Sequence, residues 1–187
     1  IDGAGKAALR LTKYVYEKLN GLGIPTHYLA ADIDTGTMTV KKAVPFGHGL
    51  EVICRYRAVG SFLRRYGLYV SEGQPLDALI EMTLKDDARN DPLITADALE
   101  MLGILSKQQH RFLKELTRQI AGIVKSELVS KGMELYDIKF EFGKVGEEGQ
   151  IVLIDEISGG NMRVYQNGKK VSPLELEKLI LYPSVER

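Results

Sequence analysis

The strongest constraint on the fold is a period-two pattern in which Asp137, Lys139 and Glu141 alternate with Ile138, Phe140 and Phe142. Successive side chains of a strand point to opposite faces. An extended chain here therefore carries three charges on one face and three apolar groups on the other. A second run, Ile151-Val152-Leu153-Ile154, leads straight into Asp155-Glu156, and the two runs read as a hairpin. With Gly146 to Gln150 as its loop, Val145 faces Ile151, Gly143 faces Leu153 and Glu141 faces Asp155. Directly opposed residues hold their Cβ atoms about 5 Å apart. Two carboxylates that close repel unless a proton or cation intervenes, and Mg2+ commonly bridges one or two carboxylates to nucleotide phosphates. Lys139 shares their face and could neutralise phosphate. An ordinary solvated sheet face with a salt bridge satisfies the same spacing.

Upstream, Ser106 and Gln109 form a capping box that opens a long helix with the apolar stripe Phe112, Leu113, Leu116, Ile120, Ile123, Val124 and Leu128. Lys131-Gly132 ends it. Lys6 to Asn20 also reads as a helix, stopped by Gly21 and Gly23. Strand-like runs at Thr26 to Ala30 and Thr37 to Lys42 flank the turn Asp34-Thr35-Gly36, and further strands are expected at Leu50 to Arg55 and Ala78 to Leu84. Val44-Pro45-Phe46-Gly47 reads as a hinge, since Pro45 cannot donate to a central ladder. Shorter helices are expected at Ser61 to Tyr66 with Ser61 as N-cap, near Ala96 to Leu102, and at Pro173 to Leu181. This mixed order specifies an α+β fold, sheet-rich in its first part.

The chain has 187 residues, enough for one domain or two small lobes. Lys plus Arg and Asp plus Glu both number 25, so no global field favours nucleic acid or an anionic membrane as partner. A local cluster of Arg or Lys still suffices for a phosphate. The lone Cys54 forms no internal disulfide, which fits a reducing cytoplasm, and in its apolar strand it reads as a small core residue. No apolar run reaches the roughly 18 residues of a membrane span. The first residue is Ile1 rather than Met, so further sequence is expected upstream. His27, His48 and His110 are scattered and read as structural. Arg55, Arg57, Arg64 and Arg65 read as an exposed basic strand and helix, although the planar guanidinium also suits oxyanions. No exposed apolar face can be assigned, which leaves homo-oligomer formation open.

Several segments, taken in order, carry more. They are Gly23-Ile24-Pro25-Thr26-His27, Val40-Lys41-Lys42, Arg55-Tyr56-Arg57-Ala58-Val59-Gly60-Ser61, Lys85-Asp86-Asp87-Ala88 with Asp91-Pro92, Leu135-Tyr136-Asp137-Ile138-Lys139-Phe140-Glu141-Phe142-Gly143, Asp155-Glu156-Ile157-Ser158, and Arg163. Together they resemble the SAICAR synthetases of purine biosynthesis. The resemblance implies a two-lobed α+β fold distantly like the kinases. Residues 1–44 would belong to an ATP-binding lobe, and 45–187 to a larger substrate- and metal-binding lobe. It implies ATP and Mg2+ as cofactors, with aspartate and carboxyaminoimidazole ribonucleotide as small-molecule substrates joined through an acyl phosphate. By the same resemblance Glu141 and Asp155 hold Mg2+, and Lys139 lies near the nucleotide phosphates. Lys139, Asp155 and Lys85 form the catalytic set, and the backbone of Ala43, Val44, Pro45 and Phe46 meets adenine. Arg55, Ser61 and Arg163 bind the phosphate and carboxylate of the ribonucleotide. Lys85, Asp86 and Asp91 lie near the amino-acid substrate, where turn and cap chemistry is the ordinary reading.

Three stretches depart from the family. An Asn-containing segment of its first helix reads Ala7-Ala8-Leu9-Arg10 here; Gly159-Gly160-Asn161-Met162 stands where the family has Pro-Asp; and Val164-Tyr165-Gln166 replaces Trp-Asp-Lys. The last two leave room for a related ligase or phosphotransferase acting on another acid, and the absence of the family's opening strands leaves room for a non-catalytic nucleotide-binding module. The family's opening strands, with their Gly-Lys-Ala-Lys-like turn, have no counterpart from Ile1 onward, since Gly3-Ala4-Gly5-Lys6 lacks the P-loop spacing; either the sequence is a fragment of a longer protein or the protein is degenerate.

Overall fold

In a computed structural model, which describes residues 3–182, the chain runs α1 (Ala4–Gly21), β1 (Tyr28–Asp32), β2 (Thr37–Val40), β3 (Val44–Pro45), β4 (Leu50–Arg57), α2 (Gly60–Tyr66) and β5 (Pro75–Leu84). It continues with α3 (Ala96–Met101), α4 (Lys107–Val129), β6 (Glu134–Val145), β7 (Gln150–Ile154), β8 (Met162–Gln166), β9 (Lys169–Lys170) and α5 (Pro173–Leu181). Among the described residues, β1 and β2 form a separate hairpin and the other seven strands form one sheet. The long β6 is its axis. On one side β6 pairs with β4, from Glu51↔Glu141 to Arg55↔Asp137, and then with β3; on the other it pairs first with β8 and then with β7. β5 lies outside β4 and β9 outside β8.

The period-two pattern decides which face is covered. Val52, Cys54, Met82, Ile138, Phe140 and Phe142 enter the core beneath α4, which packs across β4, β5 and β6. Leu113, Leu116, Ile120, Val124 and Leu128 of α4 are all buried there. Burying each contributes about 1.5–3 kcal/mol. The capping box forms as expected, with Gln109 N–H donating to Ser106 Oγ at 3.1 Å and Ser106 N–H to Gln109 Oε1 at 2.9 Å. α1 and α5 pack on each other and close the same core. No helix among the described residues is long and apolar enough to cross a membrane.

Three expectations need correction. The β6–β7 register is one residue tighter, with Val145↔Gln150 and Glu141↔Ile154, because Gly146 and Gly149, both at positive φ, bound a shorter turn. Ser61 does not cap α2: Val59 stands at the N-cap position without a side-chain hydrogen bond, and the Ser61 hydroxyl accepts from Arg55 instead. Arg163 lies in a strand, β8, that the sequence reading left without an element. Met162 and Val164 are buried on its inner face, and Asp137 stands opposite Arg163.

Candidate active site

The face of the sheet opposite α4 is charged, and most of its charged groups are buried. It carries Glu51 and Arg55 of β4, Glu81 and Thr83 of β5, and Asp137, Lys139 and Glu141 of β6, and it floors a cleft of about 370 Å³. Arg55 is 1 % exposed and uses its whole fork. Its Nε donates to Glu81 at 2.6 Å, Nη1 to Asp137 at 2.9 Å and Nη2 to Ser61 Oγ at 2.7 Å. Glu81 also accepts from Arg65 at 2.7 Å, and the Asp137 oxygen bound by Arg55 also accepts from Arg163. The result is one chain of alternating charge, Arg65–Glu81–Arg55–Asp137–Arg163. Burial pushes the Asp137 carboxyl above its usual range, against the pull of Arg163 and Arg55. The basic-strand reading of Arg55 is therefore wrong: cross-strand partners compensate its charge inside the fold.

Gly60 sets how closely Arg163 approaches. It has a φ of 57°, and a Cβ there would lie 2.6 Å from the Arg163 guanidinium nitrogens. Arg163 lies flat against the start of α2 because position 60 has no side chain.

Glu141 and Asp155 meet despite the shifted register. Ile154 stands opposite Glu141, so a continuing strand would send Asp155 to the apolar face. Asp155 instead adopts φ 68°, and its carboxylate comes within hydrogen-bonding reach of Glu141. Burial raises the Glu141 pKa; Lys85, donating to its carboxylate at 2.7 Å, opposes the rise, and the neighbouring Asp155 adds to it. The Lys85 ammonium is held above its usual pKa by that same bond. Lys139 donates to Glu51 at 2.5 Å, and Thr83 holds the other Glu51 oxygen at 2.9 Å. Two neighbouring hard carboxylates fit a divalent cation. No third His, Cys, Asp or Glu joins them among the described residues. That donor set suits Mg2+, which keeps its other positions for water and phosphate oxygens.

The remaining expected residues divide. Asp91 lines the cleft and accepts from Asp86 N–H at 2.9 Å, whereas the Asp86 carboxylate is taken by Arg89 at 2.8 Å. Ala43 to Phe46 run along β6 beyond the cleft lining, where Val44 and Pro45 pair with Lys144 and Gly143. Cys54 is buried in the core, and burial pushes its thiol up to about 11, which suits packing rather than attack. Sequence reasoning missed Glu51, Thr83 and Lys170 on the cleft, and Glu81 behind it against Arg55. Glu51 and Glu81 had a visible signal, since each is a charge alternating with apolar neighbours in an expected strand.

A cleft floored by an ion-paired sheet and lined by Arg64 and Arg163, with the Glu141–Asp155 pair further along the same sheet, has the make-up of an enzyme site for small anionic molecules. A sequence model of the SAICAR synthetase family matches residues 1–181. The phosphoribosylaminoimidazole-succinocarboxamide synthase of Clostridium tetani is 63% identical over 181 residues, covering 97% of this chain and 80% of that one. A SAICAR synthetase solved in complex with ADP superposes with a TM-score of 0.84 at 30% identity, over 92% of this chain and 72% of that chain. The corresponding synthase of Ehrlichia chaffeensis superposes at 0.83 with 27% identity, over 96% and 78%. The chain belongs to the SAICAR synthetase family.

Proposed function

We propose that this chain is an ATP-dependent carbon–nitrogen ligase that joins aspartate to carboxyaminoimidazole ribonucleotide, the activity for which its relatives are named. ATP passes its γ-phosphoryl group to the ribonucleotide carboxylate, giving an acyl phosphate and ADP. The aspartate amine then attacks the acyl carbon, expels phosphate and, on losing a proton, becomes the amide. Such a transfer depends on positioning and on neutralising charge.

The observation that carries this reading is the buried network around Arg55. Arg55, its own fork spent on Glu81, Asp137 and Ser61, fixes Ser61 and Asp137 from behind, Asp137 in turn holds Arg163, and the part-exposed Arg163 fork matches the phosphate or carboxylate of the ribonucleotide. Arg64, at the cleft wall, adds a positive charge. Glu141 and Asp155 would hold Mg2+, which when bound neutralises nucleotide phosphate charge. Lys139 would exchange Glu51 for phosphate oxygens. Lys85 and Asp91 would face the amino acid, with Asp86 shaping their loop. The backbone from Ala43 to Phe46 would meet adenine, with a lobe division after residue 44 placing the β1–β2 hairpin on the nucleotide side. A cytoplasmic setting, where these substrates occur, completes the reading.

Turnover with ATP, aspartate and the carboxyaminoimidazole nucleotide tests it. The expected result is succinocarboxamide product with one ADP formed per amide. ADP release without amide, or no turnover by folded protein, would overturn it.

A further inference from the structure

The loop that carries Asp155 is gripped from below by α1. Tyr16, fully buried, donates its hydroxyl to the Asp155 carbonyl at 2.6 Å. One helical turn earlier, the buried Thr12 hydroxyl accepts from Ile157 N–H and donates to Ile157 C=O, both at 3.2 Å. Residues four apart on a helix share a face, so α1 grips the Asp155–Ile157 backbone at two points.

The grip matters because of what Asp155 does. Its φ of 68° lies in a region that side-chain-bearing residues seldom occupy. That conformation turns its carboxylate away from the apolar face and toward Glu141. It also aims the Asp155 carbonyl into the core, where an acceptor without a donor is unfavourable. Tyr16 supplies the donor. Its ring is fixed in turn, stacked on Tyr28 with centroids 5.5 Å apart and tilted against His27 at 5.6 Å. The hydroxyl therefore has little freedom to leave.

We propose that Tyr16 and Thr12 are positioning residues that hold Asp155 in its left-handed conformation, and so keep its carboxylate beside Glu141 for a divalent cation. The proposal rests on the assignment of Glu141 and Asp155 as metal ligands. Groups that orient a ligand from behind commonly change metal affinity at least tenfold when removed.

The test is calorimetric titration of ADP at a series of MgCl2 concentrations, which gives the Mg2+ concentration needed for half of the metal-dependent gain in affinity. Tyr16→Phe removes one oxygen and keeps the ring stack. It should raise that concentration about tenfold while leaving ADP affinity in EDTA unchanged. Thr12→Val should move it in the same direction, and it carries the test alone if Tyr16→Phe does not fold. Tyr28→Phe deletes a nearby hydroxyl that donates to Glu17 at 3.0 Å, and should not move it. An unchanged Mg2+ requirement in Tyr16→Phe, or an equal rise in Tyr28→Phe, would overturn the proposal. Asp155→Asn separates the two levels of the argument. If it leaves the Mg2+ requirement unchanged, the metal assignment falls and the proposal with it. If it raises the requirement while Tyr16→Phe does not, only the positioning role falls.

Discussion

Gly60→Ala should separate the binding role proposed for Arg163 from its role in folding. The new Cβ would lie 2.6 Å from the Arg163 guanidinium nitrogens, about 1 Å inside ordinary contact. The guanidinium is the end of a flexible side chain, so it moves rather than the backbone. Alanine at φ 57° adds about 1–2 kcal/mol of backbone cost. Asp137 keeps Arg55 at 2.9 Å, so the buried carboxylate is not orphaned and the protein stays folded. The loss falls on the ribonucleotide. One charge-assisted hydrogen bond is worth about 1.5–3 kcal/mol, or roughly ten- to a hundredfold in affinity. Steady-state kinetics should show the KM for the ribonucleotide rising by that factor, with the KM for ATP nearly unchanged and kcat falling less. A lower Tm with an unchanged ribonucleotide KM would refute the reasoning, as would an equal rise in both KM values.

Arg55→Met should destabilise the fold by about 3–5 kcal/mol in chemical denaturation, because Glu81 and Asp137 lose a shared buried partner; a change under 1 kcal/mol would contradict the buried network. Gly143→Ala would place a Cβ 3.1 Å from the Val44 carbonyl and 3.2 Å from Ala43 Cβ. It should raise the KM for ATP several-fold and spare the ribonucleotide, measured by the same kinetics. The raised pKa of Glu141 fixes the sign of a pH effect. Its carboxylate takes up a proton on folding, so the group adds stability below its raised folded pKa, and that contribution fades as pH rises through the window above the ordinary glutamate value of about 4.3. Mg2+ needs the ionised form, so metal-dependent ADP binding should instead weaken as pH falls through that window. Calorimetry across pH checks it, and Glu141→Gln should flatten the profile.

Much of the fold was legible because its local signals agreed. The capping box at Ser106, the stripe of α4 and the alternation along β6 each arise from near neighbours in sequence, and each reappears in the structure, except that Phe112, counted in the stripe, is exposed and Ile123 only part-buried. The site was legible only in part. Alternation placed Asp137, Lys139 and Glu141 on one face, but nothing local says whether such a face meets water. Its burial depends on β4 and β5 bringing Arg55 and Glu81 alongside, which is a long-range fact. Glu141 does not pair with Asp155 across the ladder, as the alternation suggests, yet the two become neighbours. A straight ladder was assumed, whereas a one-residue tighter turn and a left-handed Asp155 give the same encounter. Ser61 misled for a related reason. Its N-cap chemistry is a local preference, and the buried Arg55 fork outcompetes it.

The proposed ligase activates a carboxylate as an acyl phosphate before the amine attacks. The direct measurement is single turnover with carboxyaminoimidazole ribonucleotide labelled with 18O in its carboxylate, reading the phosphate released by mass spectrometry. Phosphate bearing one 18O per amide formed is the predicted result. Unlabelled phosphate, with ATP consumed and amide formed, would contradict it.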